Sequence, residues 1–213
     1  MIPEASRTAK GTNAVNIIEL GEGERVTSIL SVAGFEDDEY FVMVTQKGVI
    51  KRASVKDFEY QRRSGKIAIN LDEGDMLLFV RKTSGNDEVV VATHGGKCVR
   101  FDENQARVMG RTARGVRAIR LKGDDYVIGC EIVDEDKKLL TITEKGYGKR
   151  STFDCFTAHA RGTSGMICHK ITGKTGELAG ISAVSDDDDL MIITSEGVMI
   201  RTPVSQINVF GSN

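Results

Sequence analysis

The sequence has no tryptophan, only 2 prolines, 6% aromatic residues and no C-x-x-C pair. Each scarcity removes a class of protein. Without tryptophan there is no W-D signature, which argues against an ordinary WD40 propeller. Few prolines suit a chain rich in β-ladders, because proline lacks the N–H that a ladder needs. The cysteines, Cys98, Cys130, Cys155 and Cys168, follow no zinc spacing, and His94, His159 and His169 are scattered. No metal and no cofactor are expected, and the thiols read as reduced, small hydrophobes. No apolar run approaches the ~20 residues that span a bilayer, and the start, Met1-Ile2-Pro3-Glu4, lacks a basic and apolar leader. The expectation is a soluble, unexported, cytoplasmic protein. Charge of one sign is also lacking: 29 basic against 31 acidic side chains leave a net charge of −2. Taken alone, that figure disfavours a polyanionic partner.

What is present is a repeat. An eight-residue element, T-x-x-G-x-x-x-R, occurs as TQKGVIKR (45–52), THGGKCVR (93–100), TEKGYGKR (143–150) and TSEGVMIR (194–201). A second keeps the same beat: RTAKGTNAVNI (7–17), QRRSGKIAINL (61–71), RTARGVRAIRL (111–121) and RGTSGMICHKI (161–171). Four units of about 50 residues follow, at about 7–58, 59–108, 109–158 and 159–211, within one domain over 1–213. Each unit reads as β. Short apolar runs, Tyr40 to Val44, Val89 to Ala92, Leu139 to Ile142 and Leu190 to Ile193, precede the first element and have the length of buried strands. Its glycine then supplies a positive-φ turn, and the segment ending at arginine returns as a hairpin partner. Further strands are expected after the second element, for example at Ala14 to Leu20 with Val26 to Val32, and at Val116 to Leu121 with Tyr126 to Val133. About four strands per unit describes a propeller-like blade in an all-β fold.

The near-zero net charge hides an ordered distribution. Acids crowd the turn before each apolar run, at 36–39, 87–88, 134–136 and 186–189. Bases crowd the glycine elements: Arg7, Lys10, Lys47, Lys51, Arg52, Arg62, Arg63, Lys66, Lys97, Arg100, Arg111, Arg114, Arg117, Arg120, Lys145, Lys149, Arg150, Arg161 and Arg201. In a repeat structure equal phase means an equivalent place on every blade. One zone is therefore expected to be acidic and another basic, and the basic set is the candidate polyanion track.

The strings RTAKGTNAVNIIEL, GRTARGVRAIRL and TEKGYGKR, with the turns Gly74-Asp75 and Gly123-Asp124, resemble the C-terminal domain family of bacterial DNA gyrase A. The resemblance runs in register over essentially the whole chain; the related polypeptide of topoisomerase IV shares the repeat more loosely. It implies a β-pinwheel, a propeller-like disc of four-stranded blades in which neighbours exchange a strand. It also implies a basic rim that bends and wraps double-stranded DNA to support negative supercoiling. The implied partners are the rest of gyrase A and its companion gyrase B, in a cytoplasmic, nucleoid-associated assembly. The family domain has six blades, so four units suggest a fragment of a longer polypeptide. The family's Q-R-R-G-G-K-G box meets QRRSGKI at 61–67, which differs at Ser64 and Ile67 and is read as the ordinary repeat element.

No catalytic residue is expected. The family's cleaving tyrosine follows an arginine, whereas Tyr40, Tyr60, Tyr126 and Tyr147 follow Glu39, Glu59, Asp125 and Gly146. Gly173-Lys174-Thr175 imitates a phosphate-binding loop, but Cys168 stands where the leading glycine belongs. Asp186 to Asp189 lacks calcium-loop spacing. Neither a small-molecule substrate nor a membrane is expected. The alternative reading is a protein-interaction or structural propeller that does not bind DNA.

Overall fold

The computed structural model describes residues 6, 8–11, 20–21, 23–60 and 65–211. Among these the strands are β1 (Tyr40–Thr45), β2 (Val49–Ser54), β3 (Leu77–Thr83), β4 (Glu88–Thr93), β5 (Lys97–Asp102), β6 (Val116–Arg117), β7 (Val127–Ile132), β8 (Lys138–Thr143), β9 (Gly148–Thr152), β10 (Met166–Ile167), β11 (Leu178–Val184), β12 (Asp189–Ile193) and β13 (Met199–Pro203). They form successive antiparallel sheets in the orders β3-β1-β2-β6, β10-β5-β4-β7, β11-β8-β9 and β12-β13. The apolar runs became the inner strands β1, β4 and β8 and, in the last, two-stranded sheet, the half-exposed strand β12. The Tyr126 to Val133 expectation became β7. Residues 24–32 carry no strand, and Ala14 to Leu20 lies, but for Leu20, outside the described residues.

The first element builds each hairpin. Its threonine hydroxyl accepts the backbone N–H four residues on, from Val49, Lys97, Tyr147 and Val198 to Thr45, Thr93, Thr143 and Thr194. Its carbonyl accepts the glycine N–H at 2.9–3.1 Å. The glycine can take the left-handed φ that closes the turn, as Gly96 does at +76°. A Cβ on Gly96 would also lie 2.3 Å from the His169 carbonyl oxygen.

The inner strands are apolar on both faces because both faces are covered. Along β4, Val89 and Val91 enter a core with Val42, Ile50, Phe101 and Ile119. Val90 and Ala92 enter the next core, with Leu139, Phe153, Phe156 and Leu178. Alternate side chains point to opposite faces, so β4 is shared between two blade interfaces. Burying each valine or phenylalanine there contributes about 1.5–3 kcal/mol.

The second element joins blades. β6 pairs with β2, Val116 opposite Ile50, and β10 pairs with β5, Met166 opposite Cys98. Both ladders stop after two residues, because the chain then plugs between sheets. Ala118 N–H and Cys168 N–H turn to the Gly48 and Gly96 carbonyls, and Ala118, Ile119 and Cys168 are buried. Val116 to Leu121 is thus a short strand followed by an irregular plug. Gly165 is needed where this segment crosses β5, since a Cβ there would lie 2.4 Å from the Cys98 carbonyl oxygen.

Candidate nucleic-acid interface

The repeated arginine that ends the first element is taken up by the fold. Arg52 Nη1 donates to Asn104 Oδ1 at 2.8 Å and lies 3.4 Å from Glu103, which is fully buried and accepts from the Thr83 hydroxyl and the Asp87 N–H. Arg100 donates to Glu88, to Glu135 and to the Phe153 carbonyl at 2.7–2.8 Å. Arg150 donates to the Ile207 and Ser205 carbonyls and to Asp186. Each guanidinium thus spans about one repeat, from its own strand to the 3₁₀ turn of the next hairpin. Arg201 holds the same phase but is exposed and pairs with Asp189 on its own hairpin.

The preceding lysine behaves alike. Lys51 is fully buried, with its ammonium donating to the Ala68 and Arg111 carbonyls. Lys149 is buried and donates to the Gly211 carbonyl. Burial lowers both ammonium pKa values. Five residues of the candidate track, Lys51, Arg52, Arg100, Lys149 and Arg150, are thus buried or nearly so and engaged as inter-blade clamps. This also supplies a structural cause for charges of one sign at one phase, because Glu135 and Asp186, from two of the acidic turns, are clamp partners.

Other candidates are held by one or two partners at the surface. Lys47 and Lys145 donate to the Glu73 and Gly173 carbonyls, and Lys66 to the Asp57 carbonyl. Arg114 pairs with Asp72. Arg161 donates to the Gln105 and Arg117 carbonyls at 2.8 and 3.0 Å, tying one second element to the one before it. Arg7, Arg62 and Arg63 lie outside the described residues.

The remaining cations are those the plug pushes outward. Ala118 and Ile119 are buried while Arg117 and Arg120 on either side are exposed, and Ile167 and Lys170 flank Cys168 and His169 in the same way. The two segments run side by side, with Arg120 N–H donating to the Thr163 carbonyl at 2.7 Å. Among the described residues, Arg111, Arg117, Arg120 and Lys97 have no acidic side chain in salt-bridge range, and Lys10 is exposed. Arg111 and Lys66 border a cleft of about 430 Å³ beside Tyr60, and Lys97, Arg120 and Lys122 border one of about 520 Å³. Lys122, Lys170 and Arg107 are exposed cations that sequence reasoning passed over. Lys170 was detectable, since it stands one repeat after Arg120.

The apparent motifs resolve structurally. Gly173-Lys174-Thr175 lies in a turn closed by Thr175 N–H on the Thr172 carbonyl, with the Lys174 ammonium 5.3 Å from the Tyr147 ring centroid. In the acidic run, Asp186 pairs with Lys138 and Arg150, Asp188 accepts the Ser185 N–H, and Asp189 pairs with Arg201. Cys98, Cys130 and Cys168 are buried free thiols. Burial pushes Cys130 up to about 12.

A family model described as "DNA gyrase C-terminal domain, beta-propeller" matches residues 1–33, 39–84, 87–134, 137–185 and 188–213. After the first, these segments begin within or just past the acidic turns, and in that phase the sheets are explained. Residues 39–84 hold β1, β2 and β3, and β6 reaches back from 87–134. Residues 87–134 also hold β4, β5 and β7, and β10 reaches back from 137–185. Neighbouring blades thus exchange a strand. The chain is 43% identical over 212 residues to DNA gyrase A of Salmonella typhimurium and 41% identical over 218 residues to that of Haloquadratum walsbyi. Both alignments take in 100% of this chain but only 24% and 26% of those relatives, so the chain spans about a quarter of their length. Among solved structures, the C-terminal domain of DNA topoisomerase IV matches with a TM-score of 0.88 at 25% identity, covering 95% of this chain and 64% of that one. The DNA gyrase A C-terminal domain matches with a TM-score of 0.85 at 27% identity, covering 96% and 69%.

Proposed function

The chain belongs to the DNA gyrase C-terminal domain family, and from that premise we propose that it is a non-catalytic DNA-binding module that bends duplex DNA along the outward cations of its second elements. The observation that carries this reading is the plug geometry: burial of Ala118 and Ile119 leaves Arg117 and Arg120 exposed on either side, while Arg52, Arg100 and Arg150 of the first element are consumed within the fold. Cations without acidic partners can neutralise phosphates and release condensed counterions, which gives affinity that is independent of sequence and steep in salt. Bending 20–30 bp by 40–90° costs about 1–6 kcal/mol, so several blades must contribute. The track is Lys10, Lys66, Lys97, Arg111, Arg117, Arg120, Lys122, Arg161 and Lys170, with Arg114 released from Asp72 on binding and Lys47 and Lys145 at its margin.

In the assembled enzyme the module acts beside the rest of gyrase A and gyrase B, in the cytoplasm and on the nucleoid. The strand breakage and the ATP hydrolysis reside elsewhere in that assembly. The test is a salt series of DNA affinity on a ~150 bp linear fragment and a short duplex. Replacing Arg111, Arg117 and Arg120 by alanine should flatten the slope of log K against log salt by about 2.7, at ~0.9 per phosphate contact. An unchanged slope, or no binding by the parent chain at low salt, refutes the proposal. The latter result favours the protein-interaction reading.

A further inference from the structure

Two hairpin turns meet at the interface of the second and third blades, and three ligand-type atoms converge there. His94 follows Thr93 in the β4–β5 turn, Glu144 follows Thr143 at the same phase of the β8–β9 turn, and Glu177 immediately precedes β11. One donor atom of each lies within 4.8 Å of the other two, and His94 Nε2 is 3.1 Å from Glu144 Oε1. The residues are too widely spaced in the chain to form a motif, which is why the histidines carried no metal assignment from sequence.

These side chains stand on ladder backbone rather than on a loose surface. His94 N–H donates to the Tyr126 carbonyl at 2.8 Å, the His94 carbonyl accepts the Leu178 N–H at 2.8 Å, and Glu144 N–H donates to the Glu177 carbonyl at 2.9 Å. The imidazole is stacked on Tyr126 with centroids 4.6 Å apart and planes 17° apart, so its Nε2 is aimed at the carboxylates. Zinc bound at about 2.0–2.2 Å by nitrogen and oxygen in a tetrahedron sets neighbouring donors about 3.3 Å apart. The His94–Glu144 separation already fits, and the Glu177 carboxylate, on an exposed side chain, needs only a rotamer adjustment.

Charge agrees with geometry. Glu144 and Glu177 are like charges drawn together, a cost that a divalent cation would relieve. The cleft of about 520 Å³ bordered by His94 and Glu177 leaves an entry path and room for water as a fourth ligand. Lys97, Arg120 and Lys122 also border it, opposed by Asp124 and Asp125, so the wall does not add a net positive charge once Glu177 is included.

We propose that His94, Glu144 and Glu177 form a divalent transition-metal site of the zinc type, joining the second hairpin to the third blade. One imidazole with two carboxylates selects zinc-like ions over magnesium and calcium, which take oxygen ligands alone. The test is calorimetric titration of the tag-free, chelator-treated chain with zinc chloride in a buffer containing millimolar magnesium, together with thermal melts and the visible spectrum of the cobalt(II) form. The expected result is one equivalent bound, a raised melting midpoint, and a cobalt spectrum without a thiolate charge-transfer band. Affinity should fall at least tenfold in His94→Gln and in Glu177→Gln and should survive Cys155→Ser. Glu177→Gln lies on the surface and preserves the fold even if His94→Gln loosens the turn. Absent binding heat, undiminished affinity in Glu177→Gln, or a thiolate band would overturn the site.

Discussion

Replacing Arg100 by alanine separates a clamp from a DNA contact, because the two roles predict opposite pairs of results. The guanidinium donates to Glu88 Oε2 at 2.7 Å, to Glu135 Oε1 at 2.8 Å and to the Phe153 carbonyl at 2.8 Å. Its side chain is 13% exposed, that of Glu88 31% and that of Glu135 65%. The Glu135 limb is therefore a surface pair, worth about 0–1 kcal/mol. The Glu88 and Phe153 limbs are shielded and charge-assisted, at about 1.5–3 kcal/mol for such bonds. Their loss also leaves a carbonyl without its donor at the interface of the second and third blades. The expected destabilisation is about 2–4 kcal/mol, read in urea as a midpoint lowered by ~1–2 M at an m-value near 2 kcal/mol/M. The salt slope of DNA affinity, measured where the variant remains folded, should match the parent. Arg117→Ala should do the reverse, with stability within about 0.5 kcal/mol and a slope flatter by about 0.9. An Arg100→Ala chain as stable as the parent but with a flatter slope would refute the assignment of first-element arginines to the fold.

Two further outcomes follow from the turn and core geometry. Gly96→Ala should destabilise by about 2–4 kcal/mol, combining a left-handed φ with a blocked approach to the His169 carbonyl. Gly146→Ala, at φ +79° with nothing within 4 Å of the added Cβ, should cost only about 1 kcal/mol; equal losses by chemical denaturation would contradict the packing argument. His169 is pushed below its ordinary value of 6.5, first by burial and then by the neighbouring Lys149 charge, and its Nδ1 lies 2.9 Å from the Thr141 hydroxyl. The unfolded chain therefore binds the proton more readily. Stability should rise with pH from the depressed folded value up to about 6.5 and level off above it. His169→Gln should flatten that part of a stability-against-pH profile, and an unaltered profile would exclude His169 as its source.

Much of the blade was legible from residue order. The threonine and glycine of T-x-x-G act within five residues, through a hydroxyl-capped turn and a positive φ, so spacing sufficed to expect a hairpin. The runs Val89 to Ala92 and Leu139 to Ile142 were readable as inner strands because sheets lie on both sides of them. The candidate site was less legible, for a reason of distance. Arg100 reaches Phe153 and Arg150 reaches Ile207 across about one repeat, so nothing local distinguishes a clamp arginine from a surface one. By charge and by membership of a glycine element, Arg117 and Arg120 looked no different from Arg52. Only the burial of Ala118 and Ile119 between them told the two kinds apart.

The sequence by itself determined the period, the hairpin chemistry and the family. These rest on contacts within a few residues and on a pattern repeated at fixed spacing, both preserved in one dimension. Tertiary structure alone decided which strand completes which sheet, since β6 and β10 leave the segments 87–134 and 137–185 to pair in the segment before each. It also decided which cations remain for a polyanion and which histidine meets two carboxylates. Those outcomes depend on side chains from separate units arriving at one interface, where desolvation and hydrogen-bond geometry, rather than residue type, assign each charge its role.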